Sequence, residues 1–205
     1  MEQTTPDELA SFVARVTTVL EELGIDYYIV GGYAAIAWGE PRLTIDADIV
    51  VNMASTHVKA FVERFPIDQG YYVSQEGIYD ALRRRYAFNV IHSFTGARVD
   101  LMPVPGRDAA TRQAMARRRR IEFGRGYTAY FASPEDILLF KLRYYVQTDS
   151  SKHLRDARGI LAVQGSDLDM DYISAQAARL GITHALEALQ RLVDEQSTDE
   201  RLNIE

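Results

Sequence analysis

Apolar residues return every three to four positions at Leu9, Phe12, Val13, Val16, Leu20 and Leu23, a stripe that predicts a sheet-packing helix closed by Gly24. Thr5-Pro6-Asp7-Glu8 stands at its start as a capping box with proline at the first helical position. The period then changes. Tyr27-Tyr28-Ile29-Val30 is a short aromatic and β-branched run halted by Gly31-Gly32, which reads as a buried strand and a tight turn, with a helix over 33–38. Residues 44–51 alternate with a period of two, so Asp46 and Asp48 share one strand face while Ile45, Ala47 and Ile49 take the other. Residues 98–104 alternate likewise, with Asp100 beside Arg98 and Met102 and opposite Val99 and Leu101; Pro103 suits the end of that strand.

Between these segments Ser55 is expected to cap a helix whose stripe is Val58, Phe61, Val62 and Phe65, ended by Pro66. Strands are expected near 71–73, 86–92, 121–123 and 127–131, and a helix over 108–115 after Pro105-Gly106. From Ser133 the pattern is helical throughout: to 147, then 152–163, 171–180 and 183–193. Ser133 and Pro134 mark a helix start, with Asp136 read as a further cap in the first turn. The shift from mixed to helical pattern predicts a core over 1–132, a helical region over 133–196 and a polar, frayed tail over 197–205.

Composition sets limits without selecting a function. At 205 residues, 47% hydrophobic and 25% charged, the chain can bury a substantial core. Its net charge of -6 argues against general coating of nucleic acid, which calls for a basic surface. The absence of cysteine removes disulfides and thiolate metal sites. The acidic start Met1-Glu2-Gln3-Thr4 is unlike a signal peptide and no run is long enough to span a membrane, so a cytoplasmic protein is expected.

The chemistry concentrates in two places. A glycine turn before a helix brings main-chain N–H groups close to an anion such as a phosphate. Two carboxylates on one strand face repel unless a cation neutralises them, and Mg²⁺ does so through oxygen ligands at about 2.1 Å. The competing reading is a solvent-facing acidic edge. If the strand bearing Asp100 lies beside that of Asp46 and Asp48, the three acids supply oxygens for two Mg²⁺ ions about 4 Å apart, a spacing that clamps in-line displacement at phosphorus.

Gly31-Gly32, a spacer of thirteen residues, Asp46-Ala47-Asp48 and the later Val99-Asp100-Leu101 resemble the signature of the polymerase-β-like nucleotidyltransferase superfamily. The resemblance covers roughly 25–105 and implies an α+β fold, a mixed sheet flanked by helices and followed by a helical region. It further implies Mg²⁺-dependent transfer of a nucleoside monophosphate from a nucleoside triphosphate such as ATP to an acceptor hydroxyl of RNA (such as tRNA), protein or a small molecule. Gly31 and Gly32 would meet the nucleotide, and Asp46, Asp48 and Asp100 would be both metal ligands and catalytic residues. Gly32 stands where many members carry serine, which removes a hydroxyl contact to phosphate.

The proline-acid-acid start Ser133-Pro134-Glu135-Asp136, the helical Lys141 and the later basic-x-x-Asp that ends at Asp156 within Lys152-His153-Leu154-Arg155-Asp156 are similar to the helical part of abortive-infection toxin nucleotidyltransferases and small antibiotic-modifying relatives. That resemblance implies that Lys141 touches the triphosphate and Asp156 orients a base or acceptor. A toxin of a toxin and antitoxin pair is a subtype of this reading. The rival is a non-catalytic nucleotide-binding or protein-interaction module with an antitoxin-like partner. The residues also admit plainer roles, with Lys141 snorkelling and Asp156 paired to Lys152 or Arg155 on a helix surface. Arg83-Arg84-Arg85 and Arg117-Arg118-Arg119-Arg120 are either solvated faces or anion sites. Tyr144, Tyr145 and Trp38 are core aromatics or base-stacking surfaces, and His57, His92, His153 and His184 are too scattered for a metal cluster.

Overall fold

The computed structural model describes residues 4–104 and 109–202. Backbone packing divides the chain into two units, Met1–Tyr33 with Leu43–Ala132, and Ala34–Arg42 with Ser133–Glu205.

The first unit is built on strands β1 (Tyr27–Val30), β2 (Asp46–Val51), β3 (Tyr71–Tyr72), β4 (Phe88–His92), β5 (Ala97–Pro103), β6 (Arg119–Phe123) and β7 (Tyr127–Phe131). Among the described residues they form one seven-stranded sheet in the order β3-β4-β5-β2-β1-β7-β6. The pairs β2–β5 and β1–β7 are parallel and the others antiparallel. All four residues of β1 are buried, as a central strand requires. Helix α1 (Pro6–Glu22) lies on this sheet along its predicted stripe, and both halves of its capping box form: the Thr5 hydroxyl accepts from the Glu8 N–H and the Glu8 carboxylate from the Thr5 N–H. Ala47, Ile49, Val99 and Leu101 are fully buried, so the apolar faces of β2 and β5 build the core.

Several expectations change in the folded chain. Ile45 is 69% exposed, because pairing begins only at Asp46. Ser55 opens a short 3-10 turn, Ser55–His57, before the helix α3 (Val58–Glu63), and the Ala54 N–H donates to His57 Nδ1 in place of a serine cap. A helix absent from the periodicity reading, α4 (Gln75–Arg84), is capped by the Ser74 hydroxyl, which accepts from the Gly77 N–H, and buries Ile78 and Ala81. Arg83 and Arg84 end that helix and pair with Asp80. The second arginine run straddles the end of helix α5 (Ala109–Arg117) and the start of β6, where Arg118 pairs with Asp26 and Arg120 with Glu21. The expected start of α5 at Asp108, with Pro105-Gly106 before it, lies outside the described residues.

Helix α2 (Gly31–Trp38) begins in the first unit and ends in the second. The second unit otherwise consists of α6 (Pro134–Thr148), α7 (Ser151–Gln164), α8 (Met170–Leu180) and α9 (Thr183–Leu202). α9 runs past the expected end at 193, so the polar stretch from 197 is helical as far as Leu202; 203–205 lie outside the described residues. Segment 34–42 packs on α7 where Gly39 and Gly159 allow close approach: a Cβ on Gly159 would stand 3.2 Å from the Glu40 nitrogen. Ser133 alone caps α6, accepting from the Asp136 N–H, while the Asp136 carboxylate accepts from the Tyr172 hydroxyl at 2.6 Å. Asp136 stands in the first turn of α6 as expected and is also tied to α8. No helix among the described residues is long and apolar enough to cross a membrane.

Candidate active site

Parallel pairing of β2 with β5 sets Asp46 opposite Arg98 and Asp48 opposite Asp100, so the three acids and the arginine project from one face of adjacent strands. The alternation that buries Ala47, Ile49, Val99 and Leu101 leaves these charged residues on the other side. Arg98 Nη2 lies 3.1 Å from Asp46 Oδ2 and 3.1 Å from Asp100 Oδ2, and the Thr44 hydroxyl lies 3.3 Å from Asp46 Oδ1 as a donor. Burial pushes the Asp100 carboxyl above its usual range; the Arg98 guanidinium opposes the rise and the charge of Asp46 adds to it.

Gly31 has φ of +70°, the left-handed region, and a Cβ there would overlap the Asp48 carboxylate. The glycine therefore serves two purposes: it turns the chain from β1 into α2 and clears the space in which Asp48 sits. Gly32 follows in the first turn of α2. Gly31→Ala is expected to cost about 1–2 kcal/mol from backbone strain alone, read from the denaturant midpoint. An unshifted midpoint would show that the turn relaxes freely.

A second cluster lies within the helical unit. Asp156 on α7 has a side chain 4% exposed and accepts from Arg42 Nε at 2.8 Å, Arg42 Nη2 at 3.0 Å and Lys141 Nζ at 2.7 Å. Lys141 on α6 is itself 7% exposed at its side chain. Burial would raise the Asp156 carboxyl, but hydrogen bonds and charge from Arg42 and Lys141 hold it below the usual range. Lys141 therefore does not snorkel, and the partners of Asp156 are Arg42 and Lys141 in place of a neighbour along its own helix. His153 stacks on Tyr144 with ring centroids 5.5 Å apart, and burial first, then Lys141, keeps its imidazole below the ordinary value while Asp156 acts the other way.

Two contacts at these clusters are not legible in the sequence. Arg42 lies 114 positions from Asp156, and no local period reports such a pair. Strand alternation sets Arg98 on the face of Asp100, but its reach to Asp46 depends on the β2–β5 register. Among the described residues, no three or more His, Asp or Glu side chains stand grouped to hold a metal ion as they lie. At the acidic face a guanidinium occupies the place between two of the three carboxylates.

The seven-stranded mixed sheet and the helices have a nucleotidyltransferase-like fold. Among similar solved structures is the antibiotic-resistance factor ANT(2'')-Ia in solution, with a TM-score of 0.55, 16% identity, and coverage of 92% of this chain and 96% of that one. A crystal structure of ANT(2'')-Ia in complex with adenylyl-2''-tobramycin matches with a TM-score of 0.56 and 16% identity over 83% of this chain and 95% of that one. An antigenic nucleotidyltransferase-like protein from Paracoccidioides brasiliensis matches with a TM-score of 0.55 and 20% identity over 91% and 95% of the two chains. No protein-family model and no curated protein matches the sequence.

Proposed function

We propose that the chain is a Mg²⁺-dependent nucleotidyltransferase that moves a nucleoside monophosphate from a nucleoside triphosphate to an acceptor hydroxyl and releases pyrophosphate. The observation that carries this reading is the register of β2 against β5, which sets Asp48 beside Asp100 with Asp46 on the same face. The donor set suits the ion: three carboxylates offer hard oxygen ligands, and a cationic group already sits between Asp46 and Asp100. Bound there, two Mg²⁺ ions would neutralise phosphate charge and the charge developing on the leaving group.

The chain's own residues divide the remaining work. Gly31 and Gly32 bring main chain without side chains to the nucleotide's phosphates. Asp46 and Asp48 would provide oxygens to the metal ions. Asp100 would provide a third ligand and help to remove the proton of the acceptor hydroxyl. The hydroxyl oxygen bonds to the α-phosphorus as the bond to the bridging oxygen breaks, and pyrophosphate leaves in line. Lys141 and Asp156 are proposed as nucleotide-binding residues from their resemblance. Their mutual ion pair supports a modified role for Asp156, which holds the lysine.

The acceptor belongs to a class bearing a free hydroxyl, and an aminoglycoside is the first to try because a fold neighbour was solved with an adenylylated one. Purified protein, Mg²⁺ and each α-labelled nucleoside triphosphate should be incubated with tobramycin, with tRNA and with cell extract. Transfer of label with pyrophosphate release is expected. Calorimetry separates this reading from the interaction module with an antitoxin-like partner, since the enzyme should bind a triphosphate only with Mg²⁺ present. Absence of both binding heat and label transfer rejects the enzyme.

A further inference from the structure

We infer that Arg98 is a built-in counter-cation of the acidic face, one that divalent metal must displace before Asp46 and Asp100 can act as ligands. The inference rests on the reading of those acids as metal ligands. A single nitrogen, Nη2, stands 3.1 Å from an oxygen of each carboxylate, so one guanidinium corner spans the place where a shared cation would sit. Asp46 is engaged at both oxygens, by Thr44 at Oδ1 and by Arg98 at Oδ2. It cannot turn Oδ2 fully to a metal while the guanidinium remains.

The contact is also built to be released. The Arg98 side chain is 46% exposed, against 36% for Asp46 and 23% for Asp100. Ion pairs at such exposure are weak, and a long arginine side chain can swing into water without breaking any core packing. Arg98 thus relieves repulsion among the acids when no metal is bound, and the apparent metal affinity is the intrinsic one reduced to the fraction of molecules in which Arg98 has swung away. The buried pair of Arg42 with Asp156 contrasts with it, being bidentate and held at a side chain 4% exposed.

The test measures Mn²⁺ binding to the full chain without nucleotide, by electron paramagnetic resonance of free Mn²⁺, for wild type, Arg98→Gln, Arg98→Lys and Asp46→Asn. Arg98→Gln should bind Mn²⁺ about fivefold more tightly than wild type, while Arg98→Lys, which keeps the charge, stays near wild type. The advantage of Arg98→Gln should shrink as salt is raised, since the displaced pair is exposed. Equal affinity of wild type and Arg98→Gln, with Asp46→Asn weakened, overturns the inference and leaves the metal reading standing. Binding no tighter than that of Asp46→Asn in every protein overturns both. Melting curves in chelator establish that each variant is folded.

Discussion

Asp46→Asn and Asp48→Asn are each expected to lower Mg²⁺-dependent nucleotidyl transfer by about a thousandfold, the scale on which removal of one preorganised electrostatic group acts on a transition state. Asparagine keeps the size and hydrogen-bonding shape of the side chain, so the register of β2 against β5 has no reason to shift. Asp46→Asn retains an oxygen for the Thr44 hydroxyl and gives up only a half-exposed pair with Arg98. At position 48 the amide occupies the space that Gly31 leaves open. Melting temperatures in chelator should therefore stay within about 2 °C of wild type. The measurement is label transfer under saturating Mg²⁺; turnover within tenfold of wild type for both variants would reject the assignment of these acids.

The largest effect on stability is expected from Asp156→Ala. The substitution leaves the Lys141 ammonium, 7% exposed, without its carboxylate, and removal of one partner from a buried pair costs about 3–5 kcal/mol. Much of that loss should return in the triple variant Arg42→Met, Lys141→Met, Asp156→Leu, which removes all three charges of the cluster. The pH dependence has a definite sign. Asp156 is held below the usual carboxylate range in the folded chain, so its contribution is present above its unfolded value of about 4 and fades as pH falls through the folded value. Urea unfolding should show a constant gap between wild type and Asp156→Ala from neutral pH to about 5, narrowing below about 4. A gap under about 1 kcal/mol at pH 7 would show that the cluster is solvated and that Lys141 needs no partner.

Both sites combine residues of two kinds. Some are visible to local reading because their neighbours reveal them. Tyr27–Val30 is a four-residue buried strand by composition, and the alternation about Asp46, Asp48 and Asp100 follows from the strand period of two. The helix starts at Thr5 and Ser133 follow from side-chain oxygens placed three residues before N–H groups that need an acceptor. Helix α4 is hard to read because its ten residues bury only Ile78 and Ala81; its local signals are the Ser74 cap, Glu76 in the first turn and Arg83 and Arg84 in the last.

Chain order and side-chain chemistry thus sufficed for which acids share a face, where the glycine turn falls and where the mixed pattern gives way to helices, because each depends on neighbours within a few positions. Folding in three dimensions was needed to bring Asp48 opposite Asp100, to lay Arg98 across Asp46 and Asp100, to join Arg42 to Asp156, and to group residues 34–42 with the helices. Those pairings depend on strand register and on the closure of long loops, where partners meet only after the intervening chain has folded and no periodicity records which will meet.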